Sequence, residues 1–147
     1  MSELDELMKA FGEAGGNKGA LADAGTAHLA ASGHAILSSR TVEGLDVDAR
    51  ETRRGISARI RVHEEVKLQK PVHLCFGVLH KKGTQEIRMD VTLEKDSSAT
   101  FIAHCIFPNA EKVRHLMDAT VEIGEGAEMR YSETHYQGLY GGIEVVP

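Results

Sequence analysis

Hydrophobic and polar residues alternate along most of the chain after Ala35. Between residues 56 and 62, for example, apolar side chains occupy every second position, and two arginines lie between them. Alternation with a period of two residues is typical of β-strands that bury one face. The pattern therefore predicts an all-β domain over residues 35–147.

The segment before Ala35 shows a helical spacing instead. Apolar residues between Leu4 and Phe11 follow the i, i+3, i+4, i+7 positions of one helix face, and Ser2 can cap this helix in a capping box. An alanine-rich stretch over residues 18–31 predicts a second, weaker helix. We expect residues 1–34 to form a separate N-terminal segment with one or two short helices.

The strands recur at a nearly constant interval. Ile60, Val91 and Val121 occupy corresponding places in three strands, and their residue numbers differ by 31 and then by 30. Repeats of 20 to 50 residues are typical of solenoids, in which each unit buries its apolar face by stacking on the next. We predict a solenoid of three stacked coils, each with two strands.

Composition narrows the classes of partner. The 147 residues carry a formal net charge of −5, which argues against nucleic acid or an anionic membrane as the main partner. No apolar run approaches the ~20 residues that cross a bilayer, and the acidic N-terminus does not resemble an export signal. Two cysteines without a secretory context indicate reduced thiols. We therefore expect a cytoplasmic protein.

Five side chains suggest metal chemistry, because thiolates and imidazoles are the protein ligands of iron. They are Cys75, Cys105 and three histidines at a constant spacing of 31 along the chain, His73, His104 and His135. Equivalent residues of stacked coils lie about 4.8 Å apart, so such a ladder could converge on one ion. The alternation of side chains along each strand argues against a common site, because it directs Cys105 inward and His104 outward. Simple packing of buried cysteine and histidine remains an open alternative.

The register of the coils decides which groups meet Cys105. If Ala99 aligns with Ala127, Cys105 lies at the height of Glu133, a carboxylate that needs a partner when buried. Alternatively, Glu133 bends out to water at the end of its strand. A protonated imidazole nearby would lower the pKa of the Cys105 thiol and keep a thiolate available as ligand or sulfur acceptor. The candidate cofactor-binding residues are Cys105, Glu133, His104 and His135, and the candidate metal ligands are Cys75 and His73.

Five short segments add a family resemblance. They are KPVHLCFG at 70–77, HCIFPNA at 104–110, VEIGEGA at 121–127, ETHYQG at 133–138 and GGIEVVP at 141–147. With these segments, residues 60–147 resemble the SufB/SufD family, the scaffold subunits of the SUF system of iron–sulfur cluster assembly.

The resemblance implies a right-handed parallel β-helix and a transiently bound iron–sulfur cluster. It also implies two partners, a SufC-like ABC ATPase and a second SufB/SufD-type chain in a homo- or heterodimer. Family members are longer and end in a helical segment that grips the ATPase. The residues credited with building the cluster lie beyond Pro147, so none of them is assigned here.

Three functions are compatible with these patterns. The first is a non-enzymatic scaffold or accessory component of iron–sulfur cluster assembly. The second is a solenoid module for dimerisation and ATPase docking without a cluster. The third is a small metal-dependent enzyme on a β-rich barrel, which the repeat disfavours because it indicates a filled, elongated solenoid. Apolar residues near the C-terminus, Val145 and Val146, suggest association through an edge strand.

Overall fold

The computed structural model describes residues 2–139 and 141–146. The outermost residues of the two predicted segments, Met1 and Pro147, lie outside this description. Within the described residues, two helices precede ten strands: α1 (Glu3–Glu13), α2 (Lys18–Ala22), β1 (His28–Ser32), β2 (Ala35–Arg40), β3 (Leu45–Glu51), β4 (Gly55–Val62), β5 (Val72–Gly77), β6 (Lys82–Leu93), β7 (Ser98–Ile106), β8 (Lys112–Ile123), β9 (Glu128–Tyr136) and β10 (Ile143–Val146).

The strands form two five-stranded sheets. Sheet A has the order β2-β1-β5-β7-β9, and sheet B has the order β10-β8-β6-β4-β3. The chain passes alternately from one sheet to the other, so successive coils pair in parallel, while the hairpins β1–β2 and β3–β4 are antiparallel. The predicted all-β solenoid with short N-terminal helices is confirmed.

The register of sheet B follows the repeat in the sequence. Ile60 pairs with Val91, and Val91 pairs with Val121, and these are the residues that define the repeat. All three side chains point toward sheet A, as their strand parity requires. The period of the hydrophobic pattern therefore predicts the stacking of this sheet correctly.

The corners that lead from sheet B to sheet A repeat with the same period. Glu65, Asp96 and Gly126 occupy equivalent places in three successive corners, and they have positive φ angles of 65°, 56° and 72°. Of the two glycines at the last corner, Gly126 has a positive φ and Gly124 does not. Gly124 is required for another reason, since a Cβ there would lie 2.9 Å from the backbone nitrogen of Lys95.

The main core lies between the two sheets, on what we call their inner faces. Side chains from every second position of the strands interdigitate there, including Ile60, Phe76, Met89 and Phe101, each of which is about 1% exposed or less. This burial between stacked coils is the main stabilising contribution that such a solenoid can have.

Helix α1 covers the other side of sheet A, which we call its outer face. A capping box begins the helix, because Asp5 N donates to Ser2 Oγ (3.1 Å) and Ser2 N donates to Asp5 Oδ2 (3.0 Å). Its apolar stripe, with Leu7 and Phe11 fully buried, packs against side chains of three strands of the sheet. Both predicted features of this helix, the cap and the buried face, are confirmed.

The second predicted helix is wrong beyond residue 22. A turn follows, in which the Asp23 carboxylate accepts hydrogen bonds from Gly25 N and Thr26 Oγ1, and residues 28–32 then form β1. This strand lies between β2 and β5 and is buried throughout, so sheet pairing outweighs the local helical preference of its alanines. Sheet A therefore begins inside the segment predicted to be helical.

Candidate metal centre

The two cysteines lie on opposite faces of sheet A. Cys75 on β5 belongs to the outer cluster beneath α1, whereas Cys105 on β7 belongs to the core between the sheets. Both are completely buried. A sheet separates the two sulfur atoms, so they cannot bind the same ion.

The predicted histidine ladder does not form. His104 pairs with Cys75 and with Thr134, and His73 pairs with Ile102. On the outer face, the ring of His104 packs edge-on against Phe11, with ring centroids 4.8 Å apart.

The physical reason is a difference in corner length. Val62 pairs with Leu93 in sheet B, and Val72 pairs with Phe101 in sheet A. The corner from Val62 to Val72 is therefore longer by two residues than the corner from Leu93 to Phe101. The residue numbers of partners consequently differ by 31 in sheet B but by only 29 in sheet A. His73 and His104 are 31 residues apart, which is the partner spacing of sheet B, and they therefore do not pair in sheet A.

The predicted alignment of Ala99 with Ala127 is also wrong. Ala99 pairs with Met129, so Cys105 lies opposite His135, and Glu133 lies opposite Ala103. The last two corners have equal lengths, because Leu93 pairs with Ile123 in sheet B and the same difference of 30 separates Ala99 from Met129 in sheet A. Glu133 is therefore two residues away from the predicted height.

Cys105 instead meets two imidazoles. The sulfur of Cys105 and one ring nitrogen each of His115 and His135 lie within 4.8 Å of one another. His135 is the neighbour of Cys105 in sheet A, and His115 on β8 reaches them from sheet B. Cys105 and His115 are fully buried, whereas His135 is exposed. Among the ligands predicted from the sequence, Cys105 and His135 come together, and His104, His73 and Cys75 remain outside the core.

A buried amide orients His115. Gln85, its neighbour on β6, donates from Nε2 to the carbonyl oxygens of Gly33 (2.9 Å) and Gly77 (3.0 Å). Its Oε1 therefore faces Nδ1 of His115, at 2.9 Å. An amide oxygen only accepts hydrogen bonds, so the proton of the imidazole is on Nδ1. Nε2 then carries the lone pair, and this buried atom has no hydrogen-bond partner among the described residues.

Burial determines the protonation states of the site. It lowers the pKa of His115 to about 4, with a smaller contribution from His135, so the imidazole is neutral at physiological pH. Burial also raises the pKa of the Cys105 thiol, and the charges of Glu133 and Cys75 add to this effect. The expected lowering of this pKa by an imidazolium is wrong, because the buried imidazole beside the thiol is not protonated.

Two polar residues of β9 border the site on its exposed side. Tyr131 donates its hydroxyl proton to Glu133 Oε1 (2.8 Å), and Glu133 Oε2 lies 3.3 Å from Nε2 of His135. Burial and the hydrogen bond to Glu133 raise the pKa of the Tyr131 hydroxyl. Glu133 thus contacts two side chains at the exposed rim of the site, where it also remains accessible to water.

His115 and Gln85 are not among the residues predicted from the sequence, although a signal for both exists. Gln85 continues the alternation of Ile87, Met89, Val91 and Leu93 on the inner face of β6, and His115 occupies the equivalent place on the next strand of sheet B. Polar residues at inner positions of two adjacent coils indicate a buried polar pair, which must be satisfied by hydrogen bonds or by a ligand.

These donors define a class of site. One thiol and two imidazoles, with a carboxylate at the rim, match the ligands that proteins use for divalent zinc and iron. The protein is therefore a parallel β-solenoid with a candidate transition-metal centre inside its last coils.

Comparison with known proteins identifies two curated relatives of this chain. No protein-family model and no solved structure matches the chain. An iron–sulfur cluster assembly SufBD family protein of Methanocaldococcus jannaschii is 35% identical over 112 residues, which are 76% of this chain and 35% of that protein. A protein of the same description from Pyrococcus horikoshii is 33% identical over 107 residues, 73% of this chain and 33% of that protein.

The predicted resemblance is thereby confirmed, and the chain is a homologue of the SufBD family. It spans about a third of the length of the two curated relatives. None of its described helices is long and apolar enough to cross a membrane.

Proposed function

We propose that this chain is a non-catalytic component of iron–sulfur cluster assembly and acts as a scaffold that holds iron or sulfur during assembly. The observation that carries the proposal is the thiol–imidazole set around Cys105, in a chain homologous to proteins described as iron–sulfur cluster assembly proteins. The cluster or its iron is cargo in this role and is not a permanent cofactor.

Each residue of the set has a role in this proposal. Cys105 supplies the thiolate, which is the usual protein ligand of iron in clusters, and its proton leaves as the metal binds. Alternatively, Cys105 accepts a sulfane sulfur atom from a persulfide donor, which leaves as a thiolate. His115 and His135 supply imidazole nitrogen ligands. Glu133 at the exposed rim attracts a cation toward the buried donors, because its carboxylate lies 3.3 Å from Nε2 of His135.

Partners are part of the proposal. We expect a SufC-like ABC ATPase and a second SufB/SufD-type chain to bind this protein in the cytoplasm. The exposed apolar side chains of the last coil, Val121, Ile123 and Tyr131, are more than 40% accessible and point to the same side as the core residues of earlier coils. Such side chains support association with another chain.

Anaerobic reconstitution with ferrous iron and sulfide tests this function. Wild-type protein is expected to retain iron or acid-labile sulfide after desalting, and the Cys105→Ser variant is expected to lose what the wild type retains. Cys75→Ser is the matched control, because it removes an equally buried thiol from the opposite face. Equal loading of the wild type and Cys105→Ser would contradict the proposal.

A second candidate function is a solenoid module that docks partners without a cluster. The raised pKa of the Cys105 thiol favours it, since a protonated buried thiol is an unreactive packing residue. The same reconstitution distinguishes the two functions. A docking module retains no iron in any variant, and it still binds its partner chain in size-exclusion chromatography.

A further inference from the structure

We propose that Cys105, His115 and His135 bind a single divalent transition-metal ion, and that Gln85 positions His115 for this ion. This inference rests on the proposed function only where it takes iron to be the ion that is bound in the cell. The geometry by itself supports any divalent ion that prefers sulfur and nitrogen ligands.

The spacing of the donors fits one ion. Metal–sulfur bonds of about 2.3 Å and metal–nitrogen bonds of about 2.0–2.1 Å place tetrahedral ligands roughly 3.3–3.6 Å apart. The three donor atoms already lie within 4.8 Å of one another, so closure by about 1 Å completes the contacts. A two-iron cluster takes four protein ligands, two on each iron, and three convergent donors do not provide them.

The orientation of His115 is the strongest argument. A metal-binding histidine commonly donates its second N–H to a fixed acceptor, which determines the tautomer and the direction of the ring. Gln85 Oε1 is such an acceptor at Nδ1, and it is fixed because Nε2 of the same amide is bonded to two backbone carbonyls. The lone pair on Nε2 of His115 is buried and has no partner among the described residues.

The backbone also takes part in this arrangement. Gly33 forms the turn between β1 and β2 with a φ of +60°, a conformation that glycine adopts without strain. Its carbonyl accepts from Gln85, while its N–H donates to Gly77 O (2.7 Å). The amide of Gln85 is therefore anchored to strands of the opposite sheet, so its orientation is determined by the fold.

An entry route is present at the edge of the solenoid. The side chain of His135 is 37% exposed and that of Glu133 is 24% exposed, whereas Cys105 and His115 are fully buried behind them. An ion would meet the Glu133 carboxylate and His135 first and the buried donors second. The fourth coordination position would then face solvent, as in metal sites that exchange a ligand.

Titration of the 147-residue chain with Co(II), under anaerobic and reducing conditions and without sulfide, tests the proposal. We expect one Co(II) per chain, with thiolate-to-cobalt charge-transfer absorption and the intense d–d bands of a four-coordinate ion. The same titration with ferrous iron gives the stoichiometry for the expected cargo.

Variants of the exposed ligand, His135, and of the positioning residue, Gln85, test the site separately. His135→Ala should lose most of the affinity, while His63→Ala, which removes another exposed histidine beside a carboxylate, Asp46, should not. Gln85→Leu should weaken binding about 10–100-fold at unchanged stoichiometry. Gln85→Glu should restore part of the affinity, because one carboxyl oxygen still accepts from His115 Nδ1 while the other, when protonated, donates to one of the two backbone carbonyls.

Binding of no Co(II), of more than one per chain, or of one without the sulfur charge-transfer band would overturn the inference. Unchanged affinity in His135→Ala would also overturn it, and this variant alters an exposed side chain, so folding does not obscure the result. Metal binding that requires sulfide contradicts the single-ion site but leaves the proposed function intact. One bound Co(II) in a protein that retains neither ferrous iron nor sulfide after reconstitution supports the site and contradicts the proposed function.

Discussion

Cys75 and Cys105 are alike in residue type and burial, but they lie on opposite faces of sheet A. Both are fully buried on adjacent strands, and burial raises the pKa of both thiols, that of Cys75 to about 12. Cys75 packs beneath α1 in the outer cluster. Cys105 meets His115 and His135 between the sheets. Burial and residue type therefore do not distinguish a structural cysteine from a candidate ligand, and the register of the neighbouring strands does.

The largest expected effect concerns the outer face alone. Phe11→Ala removes a fully buried ring that packs against His104 and should lower the free energy of unfolding by about 3–5 kcal/mol. Metal affinity should be unchanged, because α1 contacts only the outer face of sheet A.

Urea denaturation and Co(II) titration measure these two quantities for Phe11→Ala. Met8→Ala, at a half-buried position on the same helix, is the control and should cost less. A parallel loss of metal affinity in folded Phe11→Ala would show that the two faces are not independent.

Zinc should stabilise the protein through the inner face only. At free Zn(II) of about 100 times its Kd, the free energy of unfolding should rise by about 2.7 kcal/mol. Differential scanning calorimetry should detect this rise in the wild type and in Cys75→Ser but not in Cys105→Ser. Stabilisation of all three proteins by the same amount would place the zinc elsewhere.

Without metal, Cys75→Ser should cost more stability than Cys105→Ser. Cys75 lies in apolar surroundings beneath α1, where a serine hydroxyl should lower the free energy of unfolding by about 1–3 kcal/mol. At Cys105 the hydroxyl can donate to the unpartnered ring nitrogen of His115, so the loss should be smaller. Chemical denaturation in the presence of a chelator compares the two variants, and an equal cost would show that His115 does not accept from residue 105.

The smallest effect is the part of the pH dependence that arises on the outer face. The buried His115 on the inner face, whose pKa is lowered to about 4, acts in the same direction. His28 and His73 are paired neighbours on β1 and β5, and burial is the main cause that lowers the pKa of both below the ordinary 6.5. The folded protein then binds fewer protons than the unfolded chain, so stability should be constant above about pH 6.5 and should fall as the pH drops below it. The charged groups that border this pair are Arg40, Lys18, Asp23 and Lys70.

Urea midpoints between about pH 7.5 and pH 5.5 measure this dependence. The His73→Gln variant should show a weaker decrease than the wild type. A midpoint that rises on acidification would contradict the lowered pKa values.

The sequence predicts the coil repeat correctly but does not predict which residues meet at the site. The hydrophobic period predicts the register of sheet B, because Ile60, Val91 and Val121 stack as expected. The register of sheet A depends on corner lengths, and alternation within strands does not reveal these. His73 does not pair with His104 because the two corners that precede these strands differ in length by two residues. The position of Glu133 relative to Cys105 is predicted wrongly because the length of the next corner is also unknown from the sequence.

His115 shows the other limit of prediction from the sequence. Its parity on β8 predicts an inward side chain, but its contact with Cys105 joins opposite sheets and depends on the path of the whole coil. The helical prediction over residues 28–31 fails for a similar reason, since β1 is a strand because β2 and β5 lie beside it. Local patterns predict elements and faces, whereas contacts across the core come from tertiary structure.

X-ray absorption spectroscopy of the zinc-loaded protein tests the central claim most directly, because it counts the sulfur atoms bound to the metal. The opposite positions of Cys75 and Cys105 predict one sulfur at about 2.3 Å and two imidazole nitrogens at about 2.0–2.1 Å, with light-atom scattering for the remaining position. Two sulfur ligands would require both cysteines at one ion, and a first shell without sulfur would exclude Cys105. Either result would contradict a metal centre formed by Cys105, His115 and His135 on the inner face.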